Sequence, residues 1–314
     1  DDYDFYDGSE LIPPTRPLYN DYYRPASKPF NYPFQRRSNG WRIIPQLSNQ
    51  LQRSLINHDC GKAKKIELHK MPDSRIVNGF NVPISSAPWV ASLVGLRFDG
   101  SHAFCGAVII TPRRLLTAAH CINLAKRSGF YKINAVVGTD VKNNFGGGEV
   151  FTVEQYKQHE FFVEKTYRND IAILKLDRDI VYKPNKIAPI CLPPRSEQAQ
   201  GRALVVGFGV TDYDTRSLSE ILLGAEVNIL PPSRCVKYRK HGFKEEDQIC
   251  AGWEEGGMDA CLGDSGGPLF YWKDNTAYLV GIVSFGIDCG QAGLPGIYTR
   301  ISTFINWIEE NIDF

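Results

Sequence analysis

The sequence predicts an all-β fold, a barrel or a sandwich, with one helix at its C-terminal end. From Ile76 onward, short β-branched runs recur at intervals and are separated by Gly, Pro, Asn and Asp. That is the pattern of many short strands joined by turns. Convincing helical segments are scarce. The clearest strands, in order, are Val90–Leu96, Ala107–Ile110, Ile171–Leu174, Ala203–Val206 and Ala277–Val280. The apolar residues of Phe304–Glu309 instead fit a helix lying against the body of the molecule. The 239 residues from Ile76 to Phe314 are enough to bury a substantial core.

The first 75 residues read differently. Residues 1–37 hold nine Tyr or Phe and six Pro among short charges. No helical or strand period survives these prolines, so an extended polyproline-like spacer is expected, its aromatics also suited to a partner. Arg36-Arg37 offers a paired-basic processing site. Residues 38–75 form a second segment, in which Pro45 could start a helix and Ile44, Leu47, Leu51 and Leu55 recur at three- or four-residue spacing. A short amphipathic helix is the favoured reading, a collapsed apolar leader the alternative. Residues 76–314 make the third segment and the main domain.

Composition excludes several classes. The net charge of +1 implies no broad polycationic surface for nucleic acid. No run of about 20 apolar residues could span a membrane. The start, Asp1-Asp2-Tyr3-Asp4, has neither the basic end nor the apolar core of a signal peptide, so the chain is either mature or not secreted. The cysteines favour a mature secreted chain. Cys60, Cys105, Cys121, Cys191, Cys235, Cys250, Cys261 and Cys289 are even in number and widely spaced, with no zinc-knuckle spacing. Four disulfides and an oxidising, extracellular compartment are expected; spacing alone leaves 105 pairings open. No Asn-x-Ser/Thr acceptor is present.

Near the C-terminus the chain reads Gly263-Asp264-Ser265-Gly266-Gly267-Pro268, with Asp259 six residues before the serine. A serine among glycines sits on a tight turn where backbone N–H groups can face a reacting carbonyl. Serine alone is a poor nucleophile, so it needs a base, and the base needs an orienting group. His120 in Leu116-Thr117-Ala118-Ala119-His120-Cys121 and Asp170 in Asn169-Asp170-Ile171-Ala172-Ile173-Leu174 supply both. With these motifs the chain, from about Arg75 to its end, resembles the chymotrypsin-fold serine proteases of trypsin-like specificity. The order His, Asp, Ser is theirs and not that of subtilisins or α/β-hydrolases.

The resemblance implies two six-stranded barrels with the site between them. It assigns His120 as general base, Asp170 as its orienting carboxylate, Ser265 as nucleophile, and the N–H groups of Gly263 and Ser265 as the oxyanion hole. Ser284 matches the position that hydrogen-bonds Asp170, and Ser284-Phe285-Gly286 an edge for the substrate backbone; Phe285 stands where Trp is usual. Asp259 matches the acid at the floor of the specificity pocket, with Gly286 and Gly296 at its walls. Ala260 replaces a hydroxyl that would help lysine, so Arg is expected over Lys at the cleaved position. Tyr167 matches a position that narrows the neighbouring subsite, favouring small residues there. The stretch Gly138–Asn144 keeps one acid and a lysine, so no calcium is expected. No cofactor or metal is expected.

Arg75-Ile76-Val77-Asn78-Gly79 matches the family's activation junction, where a freed Ile76 amino group would pair with Asp264 and order the site. The implied disulfides are Cys105–Cys121, Cys235–Cys250, Cys261–Cys289 and Cys60–Cys191, the last tying the leader to the domain behind the cleft. The sequence therefore reads as a secreted trypsin-like endopeptidase zymogen of a regulatory cascade. Its expected partners are protein substrates cut after Arg or Lys, an activating trypsin-like protease and a protein inhibitor. A digestive trypsin and a non-catalytic binding protein are the alternatives.

Overall fold

The computed structural model describes residues 59–66, 79–142, 147–212, 217–257, 260, 263–287 and 289–314. The aromatic leader, the 41–57 helix, the Arg75–Ile76 junction, Asp259 and Cys261 lie outside the described residues.

The strands close into two antiparallel barrels. The first is built from β2 (Val90–Arg97), β3 (Gly100–Thr111), β4 (Arg114–Thr117), β5 (Lys132–Val137), β6 (Glu149–Gln158) and β7 (Ala172–Leu176), closed in the order β2-β3-β4-β7-β6-β5. The second uses β8 (Gly201–Gly207), β11 (Leu223–Leu230), β12 (Gln248–Gly252), β13 (Pro268–Lys273), β14 (Thr276–Phe285) and β15 (Gly296–Arg300). Its order is β11-β12-β15-β14-β13-β8, and β8 pairs back with β11 to close the ring. β1 (Phe80–Asn81) adds to β11 outside the ring, and β9 (Val210–Asp212) pairs with β10 (Ser217–Leu218).

The predicted apolar runs are continuous because both faces of these strands are covered. On β8, Ala203 and Val205 belong to the interior of the second barrel, while Leu204 and Val206 belong to the larger core shared with the first. β13 and β14 divide in the same way: Leu269 and Val280 face inward, Phe270 and Leu279 face the shared core. Trp89, fully buried, packs edge-on against Phe270 with centroids 5.0 Å apart and thereby joins the barrels. A side chain of that size buries more apolar surface than any aliphatic one.

Two helices complete the described fold. α1 (Ala119–Arg127) follows β4 directly and was not foreseen as a helix. Its signal was present: Cys121, Ile122 and Ala125 make the buried face, and Lys126 and Arg127 sit in the last turn, where cations suit the helix dipole. α2 (Ile305–Glu310) continues a 3₁₀ turn over Ile301–Phe304. Ile305 and Ile308 anchor it on the shared core, in agreement with the expected C-terminal helix.

Disulfides join Cys60–Cys191, Cys105–Cys121 and Cys235–Cys250, and Cys289 is also disulfide-bonded. Residues 59–66 lie against the main domain. Gly61 N–H donates to Pro189 O (2.8 Å), Ala277 N–H donates to Gly61 O (2.9 Å), and Lys64 N–H donates to Ser85 O (2.9 Å).

Candidate active site

The site lies where the two barrels meet. The first barrel supplies His120, in the first turn of α1, and Asp170, on the loop between β6 and β7. The second supplies Ser265, on the turn between β12 and β13, and Ser284 on β14.

Asp170 is completely buried, and a buried carboxylate is stable only if its oxygens are satisfied. Four groups hold this residue. Its Oδ1 accepts the His120 backbone N–H (2.9 Å), and its Oδ2 lies 2.7 Å from His120 Nδ1. Ser284 Oγ donates to Oδ2 (2.6 Å), and Thr299 Oγ1 donates to the Asp170 carbonyl (2.7 Å). A carboxylate at Nδ1 fixes the tautomer that carries its proton there and leaves Nε2 as the acceptor. The imidazole is 13 % exposed, enough to meet a reactant.

Asp170 is delivered by a strained loop. Tyr167 (φ 50°) and Asn169 (φ 56°) both adopt left-handed backbone, a conformation that persists only when surrounding contacts impose it. The imposing contacts come from the second barrel. Buried Asp247 accepts from Arg168 Nε (2.6 Å) and from Asn169 N–H (3.1 Å), and Gln248 Nε2 donates to Tyr167 O (3.0 Å). Sequence reasoning missed Asp247, Gln248 and Thr299, because they stand some 80 or more residues away and carry no local motif.

The turn bearing Ser265 is also over-determined. Gly263 (φ 94°) and Gly266 (φ 80°) flank Asp264-Ser265 in backbone that side chains rarely adopt. A Cβ on Gly266 would stand 2.3 Å from Thr117 Oγ1 and 2.5 Å from Gly106 O. Gly266 N–H donates to Val283 O (2.8 Å), and Gly106 N–H donates to Ser265 O (2.8 Å). The Ser265 carbonyl and His120 Nε2 both lie within 4 Å of Cys121 Sγ, at 3.6 and 3.8 Å, so the serine backbone and the imidazole border the same sulfur. Among the described residues neither the Gly263 N–H nor the Ser265 N–H donates a hydrogen bond. Asp264 Oδ1 accepts the Gly209 N–H (2.8 Å), and its carboxylate lies so close to Gly207 and Gly209 that neither could carry a side chain. The Gly207-Phe208-Gly209 spacing at the end of a strand was a legible sign of such a close approach. A mostly apolar cavity of about 320 Å³ opens beside Gly263 and Asp264, with Phe104, Phe208, Leu218 and Lys142 in its wall.

An aromatic wall borders the histidine. Tyr167 meets His120 edge-on (5.4 Å) and stacks on Phe285 (4.9 Å), which in turn meets Tyr238 (5.8 Å). Burial, and then the charge of Asp170, push the Tyr167 phenol above its usual pKa, so it stays neutral. β13 pairs with β14 only as far as Pro268 and Ile282, leaving that edge of Ser284-Phe285-Gly286 without a neighbouring strand among the described residues. Gly286 is exposed, Gly296 is buried at the start of β15 opposite Ala251, and Ala260 packs against the interior of the second barrel.

Cys105, His120 and Cys121 cluster in the manner of a metal site, but the two sulfurs are bonded to each other and offer no thiolate. In the loop that begins at Gly138, Asp140 Oδ2 accepts the Ile84 N–H (3.1 Å).

Two closed barrels and this serine–histidine–aspartate neighbourhood define a serine protease of the chymotrypsin fold. The chain belongs to the Trypsin family, whose profile matches residues 76–308. It is 37 % identical to Trypsin 5G1 of Aedes aegypti over 239 residues, which are 75 % of this chain and 84 % of that protein. It is 34 % identical to the proclotting enzyme of Tachypleus tridentatus over 268 residues, 78 % of this chain and 68 % of that one. Identity to the tissue-type plasminogen activator of Sus scrofa is 35 % over 269 residues, 80 % of this chain. The match spans just under half (46 %) of the activator's length.

Proposed function

We propose that the chain is the precursor of a secreted serine endopeptidase that cleaves proteins after Arg, and less readily after Lys, in a regulatory cascade. The buried Asp170 carboxylate, 2.7 Å from His120 Nδ1, carries this reading. It gives the imidazole a basic Nε2 and stabilises the imidazolium that forms when Nε2 accepts a proton.

In the proposed reaction, Ser265 Oγ attacks the scissile carbonyl as its proton passes to His120 Nε2. The negative charge that develops on the carbonyl oxygen is met by the Gly263 and Ser265 N–H groups, each worth roughly 3 kcal/mol in such a role. The C–N bond then breaks, and the departing amine takes the proton from His120. Water repeats the sequence on the acyl-serine, and His120 returns the proton to Ser265. The open Ser284–Gly286 edge receives the substrate backbone as an added strand. Asp259, with Gly286 and Gly296, forms the pocket for the substrate cation. Without the hydroxyl that Ala260 lacks, the planar guanidinium of Arg fits better than the ammonium of Lys.

Cleavage of Arg75–Ile76 frees the amino group that pairs with Asp264. The Cys60–Cys191 bond supports a leader that stays attached, and disulfides throughout support an oxidising, extracellular setting. A tethered leader, together with likeness to a proclotting enzyme and a plasminogen activator, favours regulated proteolysis over digestion. An activating trypsin-like protease and a protein inhibitor complete the expected partners.

The test is limited cleavage at Arg75–Ile76, followed by assays on matched Arg and Lys amide substrates and labelling of Ser265 with an organophosphonate. Activity that appears only after cleavage, and is greater on Arg, is expected. A chain with a free Ile76 terminus that neither hydrolyses nor labels would instead be a non-catalytic binding protein.

A further inference from the structure

The segment Arg234–Lys244 carries five cations, Arg234, Lys237, Arg239, Lys240 and Lys244, and no acid. Its centre is a 3₁₀-helix, Val236–His241. At three residues per turn, residues three apart share a row. Cys235 and Tyr238 therefore form the inner row, and both are buried. Lys237 and Lys240 form an outer row, with ammonium roots about 6 Å apart along the axis, and Arg239 stands beside them. All three are exposed and make no ion pair among the described residues.

This helix ends the cleft on the side of the aromatic wall. Tyr238, on its inner row, touches Phe285. Lys237 Nζ lies 3.2 Å from the point where Gly293 would carry a Cβ, which sets the ammonium over the loop preceding Gly296. At the other end, Gly242 abuts the Thr166 side chain, next to exposed Lys165 and to Tyr167. Two nearby acids are already paired. Glu254 pairs with Arg234 (3.2 Å), and Glu164 is held by Arg127 and Asn123. The backbone carbonyls of Glu245 and Glu246, which follow the basic segment, accept from Arg300 Nε and Thr303 Oγ1.

We propose that Lys237, Arg239 and Lys240 form a distal, acid-selecting subsite, so that preferred substrates carry Asp or Glu several residues before the cleaved Arg. The inference rests on the protease reading for the direction in which substrate runs, from the 236–241 helix past Phe285 to Ser265. An acidic peptide segment, rather than an acidic polysaccharide, is favoured because the helix itself borders the cleft through Tyr238 and Phe285, and Lys237 Nζ lies over Gly293 in the loop that leads to Gly296.

The test uses the full chain after cleavage at Arg75, with two peptides identical around the Arg and bearing either Glu or Gln roughly four to seven residues before it, a span set by extended-chain geometry. The Glu peptide should be preferred on the order of 3- to 10-fold in kcat/KM, through KM, as expected for a few exposed charge contacts. The preference should collapse in high salt. In the Lys237→Ser/Lys240→Ser variant it should fall most of the way to unity, Arg239 alone remaining, while a short Arg amide is cleaved as before. Binding of both peptides to Ser265→Ala, followed by fluorescence anisotropy, reads the subsite even if no substrate is turned over. Equal affinity there, or a preference that survives the double substitution undiminished, overturns the proposal. So does selective retention on a sulfated polysaccharide matrix with no discrimination between the peptides.

Discussion

At the scale of single residues, the site depends on two kinds of support that mutagenesis separates. Ser284 donates one hydrogen bond to the Asp170 carboxylate, and removing it leaves the chain path unchanged. A hydrogen bond to a charged group contributes about 1.5–3 kcal/mol. Ser284→Ala should therefore lower kcat about tenfold or more at nearly constant KM, and lower Tm by less than Asp247→Ala does. Asp247 acts on the backbone instead, holding Arg168 and Asn169 in the loop that presents Asp170. Its Oδ1 is buried without a partner among the described residues, so the geometry is set by Oδ2 alone. Asp247→Ala removes both of these bonds, so that the left-handed strain of Asn169, of order 1–3 kcal/mol, is no longer offset. It should lower both Tm and kcat, read by thermal unfolding and steady-state kinetics on the same preparation. Equal effects of the two substitutions on Tm would contradict this division.

At the scale of elements, the C-terminal helix is pinned through a histidine. His159, at the end of β6, meets Trp307 at 5.0 Å and Phe304 at 5.3 Å, and its Nδ1 accepts the Phe161 N–H (3.2 Å). Burial pushes its pKa below the ordinary 6.5, against the opposing pull of Glu160 and Asp247. The unfolded chain thus binds the proton more readily than the folded one. Stability from this residue is present above about pH 6.5 and is lost as pH falls toward the lower folded value. Tm should decline on acidification from pH 7 to 5, and His159→Gln should flatten that decline; an unchanged slope would remove His159 as the cause. Trp307 fluorescence offers a local readout of the same step. These packed elements also explain what was legible in the sequence. Val90–Leu96 and Ala203–Val206 were visible because burial on both faces makes continuous apolar runs. β6 was not, since only Phe151 of Glu149–Gln158 is buried and Glu154-Gln155-Tyr156 are all exposed, and α1 follows β4 so directly that Leu115–Ala119 reads as one run. Ile171, expected to open a strand, bonds to Asn169 O (2.9 Å), so β7 begins one residue later. His120, Asp170, Ser265 and Ser284 could be picked out by local context, whereas Asp247 and Thr299 act through contacts that only the closed barrels create.

At the scale of the whole molecule, the shared core and the covalent tether do different jobs. Leu204, Val206, Phe270 and Leu279 of the second barrel lie in one cluster with Trp89, Val108 and Leu116 of the first, so neither barrel can lose its packing alone. The leader segment is held by less: a few backbone hydrogen bonds, contacts of Ala63 and Ile66 with that core, Lys65 over the Trp272 ring at 5.8 Å, and the Cys60–Cys191 bond. Exposed cation–π contacts contribute only about 0.5–1 kcal/mol, and with the disulfide broken, chain-end hydrogen bonds open easily. The disulfide is thus the element that should decide whether a cleaved leader stays. Cutting at Arg75 should give two fragments that migrate together on a non-reducing gel and separate on a reducing one. The Cys60→Ser/Cys191→Ser variant should shed its leader under native size-exclusion chromatography yet retain activity toward short Arg substrates, because none of the leader's described contacts touches His120, Asp170 or Ser265. A variant that keeps the leader would assign retention to Ala63, Ile66 and Lys65. One that loses both leader and activity would show that the tether also orders the site, through the Cys191 backbone, which hydrogen-bonds β14 at Ala277 and Leu279 on the strand that carries Ser284.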